Sequence, residues 1–331
     1  MTEPGGWGGR RVLVTGAGGF VGSHLTERLV ELGASVRAFV EYDSLGSHGW
    51  LDGLPAAAEV EVVAGDVRDA DSVRDAALGI DVVFHLAALI AIPYSYAAPH
   101  AYVETNVVGT LNVLRAARER GVELVVHTST SEVYGSARYV PIDEAHPLQA
   151  QSPYAASKIG ADKLAEAFHL SYGLPVATLR PFNTYGPRQS ARAVIPTILT
   201  QLLAGGPVAV GNLSPTRDFT HVADTVDAFV RIGASDVAVG RVVNAGTGTE
   251  ISIRELIERA EAAAGRRGAV EQDAARVRPL GSEVERLCAD ATLARELLGW
   301  EPRVSLDEGL ADTARWLGEN LDRYRPAAYA V

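Results

Sequence analysis

The sequence predicts an α/β fold: a doubly wound parallel Rossmann sheet with a smaller mixed C-terminal domain. In the first half, short β-branched runs alternate with helical stretches, beginning with a strand at Arg11–Thr15 and a helix at Gly19–Leu32. The predicted strands are continuously apolar, which is typical of parallel strands covered by helices on both faces. After Arg180, prolines and glycines become frequent and the helices shorten, which indicates a change of architecture.

The remaining elements of the first half repeat this alternation. Crossovers between parallel strands are right-handed, so a doubly wound sheet is the economical topology. The chain has 331 residues, more than the ~250 to 300 at which one core usually stops growing, and we divide it into domains at 10–180 and 181–331. A strand near 241–245 is a candidate to return to the first sheet. Further strands are predicted at Val36–Val40, Val60–Ala64, Val82–Leu86, Leu124–His127 and Val176–Leu179, and helices at Ser72–Leu78, Tyr102–Arg120, Tyr154–Tyr172, Arg254–Ala264 and Leu306–Leu321.

Charge, hydropathy and cysteine content exclude several classes of function. The 30 lysines and arginines face 41 aspartates and glutamates, and the formal net charge of −11 argues against general binding to nucleic acid or anionic lipid. The longest nearly apolar run, Val82–Ile92, is too short to cross a bilayer, and Met1–Arg10 lacks the apolar core of a signal peptide, so a cytoplasmic location is expected. The single cysteine, Cys288, excludes an internal disulfide, and no His/Asp/Glu spacing indicates a metal.

A glycine-rich turn joins the first strand to the first helix. Gly16, Gly19 and Gly22, with Phe20 and Val21 between the last two, form the pattern G-x-x-G-x-x-G. Gly16 permits the tight turn, Gly19 lets the main chain approach a pyrophosphate, and Gly22 allows the helix to pack closely on the strand. Because the helix N-terminus then faces the anion, the turn predicts a dinucleotide site.

Acidic residues follow the second and third strands. Glu41, with Asp43 nearby, can accept hydrogen bonds from the adenosine ribose and would repel a 2′-phosphate, which favours NAD over NADP. Asp66 and Val67 are expected to flank the adenine. The structural alternatives are a solvated loop charge for Glu41 and a helix N-cap for Asp66.

Tyr154 and Lys158 are four residues apart in a predicted helix and therefore share one face. An ammonium beside a phenol favours the phenolate and lowers the pKa of tyrosine from its usual ~10. The pair therefore predicts a general base for a sugar or alcohol hydroxyl. The lysine is informative because the chain contains only one other, Lys163.

The fifth strand ends in three candidate catalytic residues, Thr130, Ser131 and Glu132. Ligands of open α/β sheets bind at the carboxyl ends of the strands, so a hydroxyl there can hold a substrate oxygen beside Tyr154. Hydride transfer alone needs no carboxylate, but a carboxylate can remove a proton next to a newly formed ketone. The structural alternative for Glu132 is a capping or salt-bridged loop acid.

Together these motifs resemble the extended short-chain dehydrogenase/reductase family that acts on nucleotide sugars. The resemblance covers Arg11 to Leu321, and within the family it is strongest to NAD-dependent 4,6-dehydratases, in particular N-acetylglucosamine-nucleotide 4,6-dehydratases of the legionaminic acid type. The Thr-Ser-Glu triplet is shared with the GDP-mannose dehydratase branch, which usually has arginine after the second strand and uses NADP, whereas this chain has Glu41. The motifs that carry the resemblance are Thr15-Gly16-x-x-Gly19-x-x-Gly22, His85-Leu86-Ala87-Ala88, Thr130–Gly135, Tyr154-x-x-x-Lys158 and Arg180-Pro181-Phe182-Asn183-x-Tyr185-Gly186-Pro187.

The resemblance implies a mechanism. Tyr154, assisted by Lys158 and Thr130, deprotonates the C4 hydroxyl while NAD accepts the C4 hydride. Glu132 then removes the C5 proton and, with Ser131, helps the C6 hydroxyl leave as water, and the hydride returns to C6. Ser131 is a poorer acid than the aspartate of related enzymes.

The resemblance also implies cofactor and substrate contacts. Asn183, Arg217 and Arg278 match positions that bind the diphosphate, with Arg192 a weaker candidate. Pro93, Tyr94 and Ser95, which follow the fourth strand, are expected to face the hexose. Leu86, Ala87, Ala88, Asn106 and Pro181 complete the predicted cofactor contacts. His127 and His169 are predicted to be structural.

Other functions remain open for this sequence. Decarboxylation of a nucleotide-glucuronate would need a further cation for the C6 carboxylate, and Glu132 argues against 4-epimerisation. A 5,6-dehydratase and a dinucleotide-sensing regulator are the remaining alternatives. The nucleotide base and the hexose are not fixed by the sequence.

The predicted partners are a nucleotide-diphosphate sugar and a second copy of the chain. The helices Tyr102–Arg120 and Tyr154–Tyr172 can present apolar faces, which the resemblance implies form an intermolecular four-helix bundle. The residues predicted on these faces are Val103, Val107, Leu111, Ala161, Leu164 and Phe168.

Overall fold

A computed structural model describes residues 6–326 of the protein and contains a seven-stranded parallel sheet. The order of the strands is β3-β2-β1-β4-β5-β6-β10, so the direction of winding reverses between β1 and β4. The strands are β1 (Arg11–Thr15), β2 (Ser35–Val40), β3 (Glu61–Ala64), β4 (Val82–His85), β5 (Leu124–Thr128), β6 (Val176–Pro181), β7 (Asn183–Tyr185), β8 (Val208–Val210), β9 (Thr216–His221), β10 (Val242–Ala245), β11 (Glu250–Ser252) and β12 (Val270–Gln272). This confirms the predicted Rossmann architecture.

Helices cover both faces of this sheet. Successive residues of a strand point to opposite faces, and in β4 Phe84 joins the core beneath α1 and α8 whereas Val83 joins the core beneath α2, α5 and α6. The helices are α1 (Phe20–Glu31), α2 (Ala70–Ala76), α3 (Ile92–Ala97), α4 (Pro99–Tyr102), α5 (Gly109–Arg120), α6 (Pro153–Tyr172), α7 (Val194–Leu203), α8 (Val222–Gly233), α9 (Ile253–Ala264), α10 (Thr292–Leu298) and α11 (Leu306–Glu319). Burial on both faces explains why the strands read as continuous apolar runs.

The second half of the chain contributes to two places. β10 pairs in parallel with β6, and α8 packs against α1 on one face of the large sheet. A separate core is formed by α7, α9 and α11 over β8 and β9. Smaller sheets join β7, β9 and β11, and β8 with β12. The division at residue 180 stays a prediction.

The predicted helix Tyr102–Arg120 is interrupted. α4 ends at Tyr102, the segment Val103–Val108 forms a π-helical turn, and α5 begins at Gly109. A π turn contains one extra residue per turn and occurs frequently at functional sites. The apolar spacing gave no sign of this insertion, because the same side chains fit an uninterrupted helix.

Only some of the residues predicted to form the dimer interface are exposed on the surface of the single chain. Ala161 and Phe168 are buried within the chain, and Phe168 belongs to the core shared by α5 and α6. The prediction is wrong for these two residues because α6 uses that side to pack on its own neighbours. Val103 is exposed, and Val107, Leu111 and Leu164 are half-buried. Within residues 6–326, no helix is both long and apolar enough to cross a membrane.

Candidate active site

The glycine turn is built as the sequence predicts. Gly16 has φ +72°, and a Cβ there would lie 2.8 Å from the main-chain nitrogen of Ala87. A Cβ on Gly22 would overlap the Gly16 carbonyl oxygen, so α1 reaches β1 this closely only without a side chain. Gly19 is the N-cap residue, and the 12-residue helix α1 directs its free N–H groups toward the cleft. These features fit the pyrophosphate of a dinucleotide.

A single long cleft of about 1460 Å³ runs from this turn to the C-terminal part of the chain. It lies at the carboxyl ends of the sheet strands, where ligands of open α/β sheets bind. It is large enough for a dinucleotide and a nucleotide sugar lying side by side, since drug-sized ligands fill roughly 300–1,000 Å³. The predicted residues that line it are Gly16, Gly19, Phe20, Val21, Gly22, Glu41, Asp66, Val67, Leu86, Ala87, Ala88, Pro93, Tyr94, Thr130, Ser131, Glu132, Tyr154, Pro181, Asn183, Arg192, Arg217 and Arg278.

The adenosine end of the cleft contains one residue that sequence reasoning missed. Arg68 donates to Asp66 through its main-chain N–H (2.8 Å) and its Nε (2.9 Å), and its guanidinium lowers the pKa of the Asp66 carboxyl. Asp66 does not cap α2, because Asp69 holds that position and accepts from the N–H of Asp71 at 2.9 Å. Glu41 is exposed just after β2, lines the same cleft as Arg68 and, after Asp66, contributes to the raised pKa of that arginine.

Asn106 and Ser95 do not line the cleft. The amide of Asn106 is fully buried in the π-helical turn, where Oδ1 accepts from the N–H of Leu89 (2.8 Å) and Nδ2 donates to its carbonyl (2.9 Å). Ser95 is buried in α3 and donates to the carbonyl of Ile92 at 2.7 Å. Their predicted contacts with cofactor and hexose are therefore corrected: both stabilise the main chain of the wall after β4.

Tyr154 lies in the first turn of α6, behind the N-cap Ser152, whose side chain accepts from Ala155 N–H at 3.1 Å. Burial raises the pKa of the Tyr154 phenol, while a hydrogen bond with Thr130 acts in the opposite direction. The pKa of Tyr154 is therefore not lowered, as was predicted from the neighbouring Lys158, but raised. Taking the phenol out of water disfavours the phenolate more than its neighbours stabilise it.

Lys158 lies one turn further along α6, behind the cleft surface. Its Nζ donates to the carbonyl of Thr128 at 2.6 Å, and burial lowers its pKa to about 8. Lys158 therefore fixes the last residue of β5 from a position one turn after Tyr154.

Glu132 sits in a short turn that follows β5. Thr130 starts the turn by accepting from the main-chain N–H of Glu132 at 3.3 Å, and Gly135 ends it with φ +64°. The turn directs Glu132 into the same cleft wall as Tyr154, whose pKa is raised in part by this carboxylate. An acid and a phenol thus line the same cleft, close enough for the charge of Glu132 to raise the pKa of Tyr154.

The two predicted diphosphate-binding arginines lie next to this acid. Arg278 Nη1 is 3.8 Å from Glu132 Oε2 and 3.9 Å from Glu283 Oε1, and Arg217 Nη2 is 3.4 Å from the same Glu283 oxygen. Glu283 was missed, because an acid in an Arg-rich loop has no distinctive spacing. Glu132 is therefore a salt-bridged loop acid and also a cleft residue.

Asn183 and Arg192, the two remaining residues predicted to bind the diphosphate, differ in their exposure. Asn183 lines the cleft, and its side-chain oxygen is buried without a hydrogen-bond partner in the protein. Arg192 is exposed, and its Nε donates to Ser190 Oγ at 3.2 Å.

The two histidines singled out in the sequence have structural partners. His127 Nε2 lies 3.0 Å from Asp162 Oδ1, and His169 Nδ1 lies 3.0 Å from the carbonyl of Leu174. Over the described part of the chain, no cluster of three or more His, Cys, Asp or Glu residues could hold a metal ion.

Comparison with known proteins decides the family. A sequence model described as GDP-mannose 4,6 dehydratase matches residues 13–313. The chain belongs to this family. Its members are extended short-chain dehydrogenases/reductases that act on nucleotide sugars as dehydratases and epimerases.

Family members of both activities are similar to the chain. A UDP-glucose 4-epimerase of Mycolicibacterium smegmatis is 40% identical over 92% of this chain and 98% of its own. A dTDP-glucose 4,6-dehydratase of Streptomyces griseus is 37% identical over 95% and 96%. The structure of the dTDP-glucose 4,6-dehydratase DesIV of Streptomyces venezuelae, with NAD and TDP bound, has a TM-score of 0.87 at 35% identity, over 96% of this chain and 99% of its own. The predicted NAD dependence is thereby confirmed at the level of the family.

Proposed function

We propose that the protein is an NAD-dependent nucleotide-hexose 4,6-dehydratase, which produces a nucleotide-linked 4-keto-6-deoxy-hexose. The observation that carries the proposal is the position of Glu132 in the same cleft wall as Tyr154. Oxidation at C4 needs one base, whereas elimination across C5 and C6 needs a second. A buried carboxylate beside the phenol supplies that second base.

In this proposal the residues of the cleft divide the proton transfers between them. Tyr154 takes the proton of the C4 hydroxyl, Thr130 orients that oxygen, and the Lys158 ammonium stabilises the phenolate as it forms. When bound, NAD supplies the reversible hydride acceptance that oxidises C4 and later reduces C6. Glu132 takes the C5 proton, which the C4 ketone acidifies, and Glu132 with Ser131 protonates the departing C6 hydroxyl.

The ion pair of Arg278 with Glu132 supports a link between binding and this chemistry. A guanidinium binds phosphate through two parallel hydrogen bonds, so a diphosphate competes with Glu132 and Glu283 for Arg217 and Arg278. In the proposed complex the diphosphate takes over these arginines, and Glu132 is left to face C5. Asn183 lines the same cleft, and its side-chain NH2 can donate a hydrogen bond to a phosphate oxygen.

A 4-epimerase is the second candidate, and the 40% identity with the mycobacterial UDP-glucose 4-epimerase favours it. The two are separated by incubating the protein with UDP-, dTDP- and GDP-linked hexoses and N-acetylhexosamines and weighing the products. A dehydratase gives a product lighter by one water, whereas an epimer has the mass of its substrate. A product of unchanged mass from every substrate contradicts the proposal.

We expect the purified protein to carry NAD(H) rather than NADP(H). Glu41 lies exposed where the adenosine ribose is expected, and a carboxylate there repels a 2′-phosphate. Because the hydride is returned within each turnover, the cofactor need not leave the cleft. Denaturing the protein and weighing the released dinucleotide checks this, and recovery mainly of the 2′-phosphorylated form would show the assignment to be wrong.

We also propose a homodimer that uses the exposed side of the π-helical turn and α5. Val103 is exposed there, and Val107, Leu111 and the neighbouring Leu164 of α6 are half-buried in the single chain. Light scattering at micromolar concentration is expected to give twice the chain mass, and Val103→Glu is expected to shift it toward the monomer. A monomer mass for the unmodified protein argues against the dimer.

A further inference from the structure

Behind Tyr154 and Lys158 lies a buried ion pair that the proposed chemistry does not use. Asp162, one turn after Lys158 on α6, accepts at Oδ2 from Arg180 Nη2 (2.8 Å) and from Ser129 Oγ (2.6 Å). Its other oxygen lies 3.0 Å from His127 Nε2. Asp162, Arg180 and His127 are all buried, and none of the three lines the cleft.

This cluster holds both ends of the catalytic turn. Arg180 donates from Nε to Ser129 Oγ (3.1 Å), next to Thr130, and from Nη1 to the hydroxyl of Tyr134 (2.7 Å), where the turn ends. Lys158 fixes the same segment from a third side through the carbonyl of Thr128. The segment that carries Glu132 is therefore anchored to Asp162 through Ser129 and Arg180.

The charges around Lys158 give Asp162 a second role. Besides Tyr154, four residues earlier on its own helix, Lys158 is faced by His127 of β5 and His85 of β4, and burial lowers the pKa of both imidazoles, which favours their neutral forms. Arg180 of β6 is paired with Asp162. In the described part of the chain, the charge that favours the ammonium of Lys158 is the carboxylate of Asp162.

We propose that Asp162 is a positioning residue for the oxidation step, keeping Lys158 protonated in its buried site and anchoring the turn that carries Thr130 and Glu132. A neutral lysine cannot stabilise the Tyr154 phenolate, so without Asp162 the oxidation is lost at a lower pH. The inference rests only on the Tyr154-led oxidation, which the proposed dehydratase shares with an epimerase.

The lysine content of the chain makes a direct test possible. Because the sequence has only Lys158 and Lys163, protein labelled with ¹³C at the lysine ε-carbon gives two NMR signals, and Lys158→Arg identifies the buried one. In the unmodified protein the Lys158 signal is expected to titrate with a midpoint of about 8. In Asp162→Asn the midpoint is expected to fall by about one to three pH units, the usual effect of losing a nearby opposite charge.

His127→Gln is the matched control, since it alters the same cluster and leaves Asp162, Arg180 and Lys158 unchanged. In this variant the midpoint of the Lys158 titration is expected to be the same as in the unmodified protein. Circular dichroism reports whether each variant folds. If Asp162→Asn does not fold, Asp162→Asn/Arg180→Met is measured instead, because replacing both members of a buried ion pair is better tolerated than removing one. An unchanged midpoint, or an equal shift in the control, overturns the proposal.

The second readout is the rate at which NADH appears on adding substrate, measured as a function of pH. The pH at which this rate is half lost is expected to fall with the Lys158 midpoint in Asp162→Asn and not in His127→Gln. If the Lys158 midpoint falls in Asp162→Asn but the pH dependence of NADH formation stays the same, the role of Asp162 in oxidation is overturned. The NMR titration of Lys158 needs no substrate. Its result can therefore be interpreted even if the protein is not a dehydratase.

Discussion

Replacing Tyr154 by phenylalanine is expected to abolish the oxidation of substrate, so that bound NAD⁺ gives no NADH absorbance when nucleotide sugar is added. In the proposed mechanism the phenol takes the C4 proton, and the loss of a general base typically costs ~10²- to 10⁴-fold in rate. The effect is expected at the upper end of that range, because the buried phenol is poorly exposed to solvent bases that could replace it. Stopped-flow absorbance of NADH measures this step alone.

Tyr102→Phe is the control for Tyr154→Phe. The Tyr102 ring centroid lies 6.2 Å from that of Tyr154, but its hydroxyl donates to the carbonyl of Ala91 and does not line the cleft. This variant is expected to retain the oxidation. Normal NADH formation in Tyr154→Phe would place the C4 base elsewhere.

Glu132→Gln is expected to spare the oxidation and block the elimination. The C4 hydrogen leaves as a hydride and needs no help from Glu132, whereas the C5 hydrogen leaves as a proton and needs a base. Glutamine keeps the size of the side chain but cannot accept that proton, so a loss of ~10²- to 10⁴-fold in dehydration is expected. NADH should accumulate at the start of the reaction, and solvent deuterium should no longer appear at C5.

Glu285→Gln makes the same change of charge on the loop that carries Glu283, at an exposed position outside the cleft lining, and should dehydrate normally. Dehydration by Glu132→Gln at the unmodified rate would leave Glu132 as a loop acid held by Arg278. The 4-epimerase would then be the better description of the protein.

The sequence predicted the parts of the site that depend on local backbone geometry. Gly16 and Gly22 could be assigned because glycine favours a positive φ, as at Gly16, and because it alone has no Cβ to prevent a contact as close as that of Gly22. The doubly wound parallel sheet follows from the alternation of apolar strands with helices. These features need no knowledge of distant residues.

What sequence reasoning missed depends on contacts between distant segments. The pKa of Tyr154 is raised rather than lowered because the cleft walls bury it, and spacing along α6 says nothing about burial. Asn106 turns away from the cleft because a π-helical turn places its amide against Leu89. Arg278 meets Glu132 across 146 positions of sequence, a distance at which no motif connects them.

The fate of the C4 hydrogen tests the proposed function most directly. A nucleotide-hexose deuterated at C4, from the class that the protein turns over, is incubated to completion, and the product is examined by NMR. A 4,6-dehydratase moves the label to C6, so the product is expected to carry one deuterium in its methyl group and a ketone at C4. A label that returns to C4, in a product with the mass of the substrate or with a 5,6-double bond, would contradict the proposed function.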